Sequence, residues 1–262
     1  FTRFLKGECA LEHPSVLLTF DDGDKSWYDV AYPLLEKHGF HAIGFVVPAF
    51  IRDAPPEGEN RRWLSWSELS EMDQSGVMDI QSHTYGHQRV FIRPTLVDFF
   101  HPKFGRDGLG LDIPWVQENG RENRLEWGMP IYQMAPLMAG EPPLTGLEEI
   151  QKTCTSWVES HGGKAFFFFF FCKKKLYVNH YSEFDPNVVN MIPVSQQVQR
   201  EYILDDLTRS KKILEDKLHK PIYSLCYPWG AGSELALQVS KEAGYTSNFW
   251  VTVHCRRSNK TG

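Results

Sequence analysis

Two short stretches of the chain carry side chains that could hold a metal ion. Asp21 and Asp22 stand side by side after an apolar, strand-forming run, and His83 and His87 follow a second such run. Adjacent carboxylates repel each other, so they need a positive charge nearby. Histidines at positions i and i+4 lie on the same side of a helical turn, where both imidazoles can reach one ion. One carboxylate with two histidines suits zinc or a similar divalent metal and leaves coordination positions open, which is typical of a catalytic site.

These stretches occupy equivalent points in an alternating pattern of strands and helices. Such a βαβαβ order implies parallel strands joined by right-handed crossovers. The carboxyl ends of parallel strands share one edge of the sheet, so the carboxylates and histidines should meet there. The strand that carries the two aspartates is expected to be buried. The predicted strands are Val16–Phe20, Phe40–Val47 and Val77–Gln81, and the predicted helices are Ser26–His38 and the segment from the capping box Ser65–Glu68 to Gly76.

The middle of the chain, from about 90 to 199, lacks this regularity and is interpreted as a long insertion. Its predicted helix runs from about Gly146 to Ser160. Six consecutive phenylalanines, Phe166–Phe171, would be an aggregation hazard if exposed. A buried strand and an error in the recorded sequence are both compatible with this run, and no function is predicted for it. The alternation then returns with a helix at Arg200–His219, a strand at Pro221–Cys226, a helix at Ser233–Glu242 and a strand at Tyr245–Val253.

The motifs Thr-Phe-Asp-Asp-Gly and Ser-His-Thr-x-x-His resemble the first two motifs of the polysaccharide deacetylases, the NodB homology domain of carbohydrate esterase family 4. The resemblance covers residues 16–88 and resumes at 201–253. It implies an α/β fold, a distorted (β/α) barrel, in which residues 1–262 form a single catalytic domain with an insertion at about 90–199. It also implies metal-dependent hydrolysis that removes N-acetyl groups from the amino sugars of an N-acetylglucosamine-type polysaccharide.

The same resemblance assigns roles to the motif residues. Asp22, His83 and His87 would hold the metal, with Zn²⁺ as the first choice and Co²⁺ or Ni²⁺ as alternatives. Asp21 would be the general base for a metal-bound water that attacks the amide carbonyl. For the acid histidine of the family, the candidate is His254, directly after the last predicted strand.

The third motif departs from the family pattern. The family has Arg-x-Pro followed by an aromatic residue and glycine, and its arginine orients the base. Here residues 226–230 are Cys-Tyr-Pro-Trp-Gly, so Cys226 takes the place of the arginine and the group that orients Asp21 stays open. Forms with Tyr-Pro-aromatic-Gly resemble the branch of exopolysaccharide poly-N-acetylglucosamine deacetylases. The backbone N–H of Tyr227 is the predicted oxyanion donor.

Substrate contacts are predicted next to this motif. Aromatic faces suit the apolar faces of pyranose rings, although tryptophans more often pack in a core. The predicted substrate-binding residues are Pro228, Trp229 and Trp250.

Composition limits the classes of function. The chain has 262 residues, of which 42% are hydrophobic and 23% charged, as in an ordinary globular domain. A formal net charge of -5 and the lack of a basic stripe argue against a nucleic-acid partner. No apolar run reaches the length of a membrane span. Five cysteines without a C-x-x-C pair favour free thiols over disulfides or a zinc ribbon.

The family resemblance implies that the partner is a carbohydrate polymer. It also implies an extracellular or cell-envelope location, with the cytoplasm as the alternative. The chain begins at Phe1 rather than Met, so the lack of a visible signal peptide carries no weight. The oligomeric state is not indicated.

Two other functions are compatible with the sequence. The same fold could act on a small cyclic amide or on a lipid-linked formamido sugar, because the arginine is absent and the insertion is long. A glycan-binding module without catalytic activity is the second alternative.

Overall fold

A computed structural model describes residues 4, 7–10, 13–53, 62–102, 116–118, 121–123, 125–168, 176–177, 181 and 191–250. The chain divides into two compact units. The first consists of Phe1–His87 and Ile203–Gly262, and the second of Gln88–Tyr202. The limits of the second unit lie within a few residues of the insertion predicted at 90–199. That the two units together make one catalytic domain stays a prediction.

The amino-terminal part of the first unit alternates strands and helices, as predicted. A five-residue π-helix, Trp27–Ala31, leads into the first α-helix. The second α-helix begins with the predicted capping box, in which Ser65 Oγ accepts from the Glu68 N–H and the Glu68 carboxylate accepts from the Ser65 N–H. The order of elements is β1 (Leu18–Asp22), α1 (Tyr32–His38), β2 (Ala42–Val46), α2 (Trp66–Gln74) and β3 (Met78–Ser82).

The second unit combines antiparallel ribbons with one long helix. The elements are β4 (Arg89–Phe99), β5 (Val116–Glu118), β6 (Arg121–Asn123), β7 (Pro130–Pro136), β8 (Leu144–Thr145), α3 (Glu148–Ser160) and β9 (Ile192–Pro193). β4 pairs with β7, β5 with β6, and β8 with β9, all antiparallel. Helix α3 confirms the helix predicted near Gly146–Ser160.

Part of the phenylalanine run lies in this second unit. Phe166–Phe168 end a 3₁₀-helix, Gly163–Phe168, so the interpretation of the run as a buried strand is wrong for these three residues. Phe166 packs in the core of the unit, whereas Phe168 is 72% exposed. Phe169–Phe171 lie outside the described residues.

The chain continues with α4 (Gln196–Leu218), β10 (Ser224–Cys226), α5 (Glu234–Glu242) and β11 (Ser247–Phe249). Five strands of the first unit form one sheet in the order β1-β2-β3-β10-β11, and every neighbouring pair is parallel. This confirms the predicted parallel sheet. In the described part of the chain, no helix has both the length and the apolar character needed to cross a membrane.

This sheet curls strongly. The side chains of Asp21 on β1 and Cys226 on β10 lie 3.8 Å apart, although β2 and β3 separate their strands. In a flat sheet, three strand spacings would separate them by about 14 Å. The ring centroids of Phe45 on β2 and Phe249 on β11 likewise lie 4.9 Å apart across two strands. The five strands therefore form part of a barrel, and their inner face brings distant strands together.

The position of β1 differs from the expectation. It lies at one edge of the sheet, where Leu18 is 37% exposed, Phe20 is half-buried, and Val16 just before the strand is 86% exposed. Among the strands whose burial the structure describes, β2 and β10 are buried along their whole length. An apolar run shows what a strand is made of, but it does not show whether a neighbouring element covers that strand.

The centre of β2 is fixed by a close contact. A Cβ at Gly44 would lie 2.6 Å from the ring of Trp27, which comes from the π-helix before α1. Only glycine leaves room for this indole against the sheet, and Trp27 is buried there.

Candidate metal centre

Asp22, His83 and His87 meet at the carboxyl ends of β1 and β3. Nε2 of His83 lies 3.4 Å from Oδ1 of Asp22, and Nε2 of His87 lies 3.3 Å from the same oxygen. A tetrahedral zinc ion with bonds of 2.0–2.1 Å holds its ligand atoms about 3.3–3.4 Å apart. Both histidines are buried and Asp22 is partly exposed. One ion could therefore contact all three side chains and still be reached from solvent.

Protonation explains why a cation fits between these atoms. Nδ1 of His83 lies 2.9 Å from the carbonyl oxygen of Cys226, which can only accept, so this nitrogen carries the proton. In the neutral ring, Nε2 then turns a lone pair towards Asp22 Oδ1. That oxygen is buried and has no hydrogen-bond donor among the described residues. Two facing lone pairs repel unless a cation lies between them, so the donor set fits a divalent metal.

The charge states point the same way. Burial alone would raise the pKa of Asp22, but the hydrogen bonds and charge that His83 and His87 offer when protonated outweigh it and hold this pKa below its usual range. Burial lowers the pKa of His87. A charged carboxylate and a neutral imidazole are the forms that bind a metal.

The segment that carries the histidines is not a helical turn, contrary to the expectation from the i, i+4 spacing. Thr84 (φ 65°) and His87 (φ 50°) both adopt the left-handed conformation. Asp22 (φ 79°) and Trp229 (φ 54°) do the same, and among the described non-glycine residues with positive φ only His219 lies elsewhere. This conformation costs roughly 1–3 kcal/mol per residue, and it is rare for a β-branched threonine. Backbone strain is thus concentrated at the predicted ligands.

Sequence reasoning missed Asp206 on α4, which supports the turn between the two histidines. Its carboxylate accepts the N–H of Tyr85 at 2.9 Å and that of Gly86 at 3.2 Å. Asp206 is buried, and burial raises its pKa to about 7, although the two N–H groups act in the opposite direction. The signal was present in the sequence, because Asp206 falls on the apolar face of the helix between Ile203 and Leu207.

Asp21 lies beside the metal ligands but outside their cluster. Its Oδ2 accepts from the Cys226 thiol at 3.8 Å, and the two side chains lie close to a ring nitrogen of His83. Burial, followed by the charge of Asp21, raises the pKa of the Cys226 thiol above its usual range. Cys226 is therefore an uncharged donor at the position where the family has arginine. This thiol is the contact that the sequence left open for Asp21.

The backbone N–H of Tyr227, the predicted oxyanion donor, has a partner within the protein. It donates to the carbonyl of Phe249 at 2.9 Å, directly after the pairing of β10 with β11. Its hydroxyl donates to Asn248 at 2.8 Å, and the side chain is buried. A proton already held by a carbonyl is not directed at a developing oxyanion.

The three residues predicted to bind substrate differ in their exposure and in their neighbours. Trp229 is 36% exposed, and its ring centroid lies 4.1 Å from that of His87. Trp250 is exposed too, and its ring lies 5.7 Å from that of Tyr227. Pro228 is buried and begins the 3₁₀ turn that presents Trp229, so it is placed to shape the turn rather than to contact substrate. His254 lies outside the described residues.

Comparison with known proteins agrees with the arrangement. The family model described as polysaccharide deacetylase matches residues 10–99. The poly-beta-1,6-N-acetyl-D-glucosamine N-deacetylase of Staphylococcus epidermidis is 38% identical over 71 residues, 27% of this chain and 24% of that protein. The enzyme of the same name from Staphylococcus aureus strain MSSA476 is 34% identical over 71 residues, with the same coverage. The match thus spans about a quarter of the length of these relatives, which are hydrolytic enzymes.

Solved structures of deacetylases share the fold over most of the chain. A de-N-acetylase from Aggregatibacter actinomycetemcomitans has a TM-score of 0.56 at 18% identity, covering 95% of this chain and 68% of that one. The BpsB deacetylase domain from Bordetella bronchiseptica has a TM-score of 0.57 at 19% identity, covering 95% and 69%. These likenesses confirm the α/β fold of the distorted (β/α)-barrel type. Together with the family match, they confirm that the chain resembles the polysaccharide deacetylases, in sequence over residues 10–99 and in fold over most of its length.

Proposed function

We propose that the protein is a metal-dependent hydrolase that removes N-acetyl groups from the amino sugars of an N-acetylglucosamine-type polysaccharide. The observation that carries this proposal is the meeting of Asp22 Oδ1 with the Nε2 atoms of His83 and His87 at the edge of a parallel sheet. The sequence relatives, which are named as deacetylases of poly-N-acetylglucosamine, support the substrate class. The same resemblance supports action outside the cytoplasm or in the cell envelope.

Asp22, His83 and His87 would hold the metal, which we propose to be Zn²⁺, with Co²⁺ or Ni²⁺ as alternatives. A divalent ion there would polarise the acetamide carbonyl and acidify water. Because Asp22 faces both imidazoles, its carboxylate is committed to the ligand set. Three protein ligands leave room for water and substrate.

Asp21 is the proposed general base. Its carboxylate is exposed and lies next to the ligand cluster, and within the described part of the chain its only hydrogen-bond donor is the Cys226 thiol. It can therefore take the proton of the attacking water and pass it towards the leaving amine. His254, at the position predicted for an acid, stays a candidate for protonating that amine.

Substitutions of Asp22 and Asp21, tested one at a time, distinguish the proposed metal ligand from the proposed general base. Asp22→Asn should lose both bound metal and acetate release, because a neutral amide lacks the negative charge with which the carboxylate holds a divalent cation. Asp21→Asn should keep its metal and lose about 10²–10⁴-fold in kcat, the usual contribution of a general base. The measurements are metal content by mass spectrometry and acetate release from an N-acetylglucosamine oligomer. Asp216→Asn, on an exposed position of α4, makes the same chemical change away from the site and should behave as wild type.

The proposal fails if Asp22→Asn releases acetate at the wild-type rate. It also fails if chelation leaves the activity of the wild-type protein intact. Full activity of Asp21→Asn with bound metal would remove Asp21 from the mechanism and leave the metal site standing.

A further inference from the structure

The second unit contains a cavity that the proposed reaction does not use. Its volume is about 810 Å³, within the range of sites that bind small molecules. The cavity lies between the segment before β7 and the carboxyl-terminal half of α3. Among the side chains that line it are Glu126, Trp127, Thr155, Ser156, Glu159 and Ser160.

The aromatic wall of this cavity is held in a fixed position. The indole of Trp127 stacks on Phe100 with 4.8 Å between centroids and 4° between planes. The next residue, Gly128, donates its N–H to the Phe100 carbonyl at 2.8 Å. Gly128 has φ 89°, and a Cβ there would lie 2.4 Å from Val158 on α3, so the segment is pressed against the helix. Trp127 is thus a preorganised flat surface beside α3.

The polar wall carries two carboxylates that have no basic partner among the described residues. Glu126 and Glu159 are exposed, and within the described part of the chain neither carboxylate has a hydrogen bond or an ion pair. None of the described residues lining the cavity is basic. Thr155, Ser156 and Ser160 stand on the same helix. The hydroxyls of Thr155 and Ser160 donate to the backbone carbonyls of Lys152 and Trp157, so their oxygens serve a ligand as acceptors. A flat aromatic ring, hydroxyls and two free carboxylates suit a ligand that has an apolar ring face, hydroxyl groups and a positive charge.

We propose that this cavity binds amino sugars whose amine is free and protonated, that is, the deacetylated units of the glycan. Trp127 contacts the face of the pyranose ring, the hydroxyls bind its hydroxyl groups, and Glu126 and Glu159 receive the ammonium group. The ligand class rests on the proposed function, because deacetylation converts a neutral acetamide into this cation. The cavity therefore selects polymer that has already been modified.

The test compares two oligomers of equal length by calorimetry, a glucosamine tetramer and an N-acetylglucosamine tetramer, in mildly acidic buffer. The Asp22→Asn variant of the full chain is used, so that the acetylated oligomer is not converted during titration. We expect the glucosamine oligomer to bind roughly tenfold more tightly, and this preference to shrink with added salt. Equal affinity for the two oligomers would overturn the proposal.

Substitutions of residues that line the cavity test whether the oligomers bind there. The double substitution Glu126→Gln and Glu159→Gln should abolish the preference for the free amine. The matched control, Glu148→Gln with Glu149→Gln, removes the same charge from exposed positions at the start of α3. This control variant should keep the preference for the free amine. A preference that survives the first pair would overturn the proposal.

The aromatic contribution is tested separately. Trp127→Ala should weaken binding of both oligomers, and Trp127→Phe, which keeps a ring on Phe100, should restore part of it. Unchanged binding in Trp127→Ala, with an unchanged circular dichroism spectrum, would exclude the ring from the site. Because all titrations use an inactive variant, failure of acetate release by the wild-type protein would contradict the proposed function without altering these binding results.

Discussion

Asp21 and Asp22 are neighbours of the same type in contrasting surroundings. The Asp22 carboxylate faces two buried imidazoles, whereas that of Asp21 is exposed and receives a thiol hydrogen bond. Successive side chains of a strand point to opposite sides, and the left-handed backbone at Asp22 ends that regular alternation. These surroundings suit the proposed division of roles, in which Asp22 is a metal ligand and Asp21 exchanges protons with water and substrate.

The residue Trp229 should affect substrate binding more than chemistry. Replacing it with alanine removes an exposed ring beside His87, and we expect KM for N-acetylglucosamine oligomers to rise about three- to tenfold, the value of a good ring contact. Trp229→Phe keeps a smaller aromatic face, so its KM should lie between those of the wild type and Trp229→Ala. Steady-state kinetics measures KM and kcat, and metal analysis checks that His87 still binds. An unchanged KM in Trp229→Ala would exclude this ring as a sugar contact.

Among the elements, α4 supports the candidate metal centre without supplying a predicted ligand. In the described part of the chain, the Asp206 carboxylate has no hydrogen bond to a predicted ligand side chain. Its carboxylate instead accepts two N–H groups of the strained turn between His83 and His87. It is a positioning residue, comparable with the groups that orient metal ligands in other proteins.

We expect Asp206→Asn to weaken metal binding by about 10–100-fold, because an amide can accept one of the two N–H groups but turns its own donor towards the other. Competition with a chromogenic chelator measures the affinity. Asp205→Asn, on the exposed neighbouring position, is the matched control and should bind metal normally. Wild-type affinity in a folded Asp206→Asn protein would show that the turn holds its shape without this carboxylate.

For the molecule as a whole, metal and stability should be coupled. The proposed ligands come from the end of β1 and from the segment after β3, and Asp22 and His87 have a strained backbone, so an ion that binds only the folded state should stabilise the whole first unit. At a free concentration 100-fold above Kd, the gain is about 2.7 kcal/mol. That corresponds to a rise in Tm of roughly 5–10 °C for a chain of this size.

Differential scanning calorimetry with and without chelator measures this shift. Asp22→Asn supplies the control, since its Tm should not respond to added Zn²⁺. An equal response in wild type and Asp22→Asn would place the metal elsewhere in the chain.

Much of this architecture can be predicted from the sequence because its signals are local. The capping box at Ser65, the helix end at His38 and the strand–helix alternation each depend on a few neighbouring residues, and the structure contains all of them. Parallel topology follows from the alternation, and it brings the strand ends with Asp22 and His83 to one edge.

The remaining features depend on contacts between distant parts of the chain. The exposure of β1, the thiol beside Asp21 and the occupied N–H of Tyr227 all follow from which strands become neighbours in a curled sheet. The left-handed turn at Thr84 was missed because histidine spacing alone does not distinguish a helix from a strained loop. Asp206 shows the reverse case, in which a buried acid on a helix was a visible signal that was not used.

The curled sheet also affects the order in which the contacts around the proposed metal site form during folding. Asp21 and Cys226 are 205 residues apart in sequence, and His83 and the carbonyl that fixes its ring are 143 residues apart. Contacts of such long range form late, because the entropy of closing large loops opposes them. Although the three proposed ligands lie within residues 22–87, the carbonyl that orients His83 and the thiol beside Asp21 are in place only once β10 has joined the sheet. The capture of metal should be among the last events of folding and should mark the arrival of the carboxyl-terminal strands.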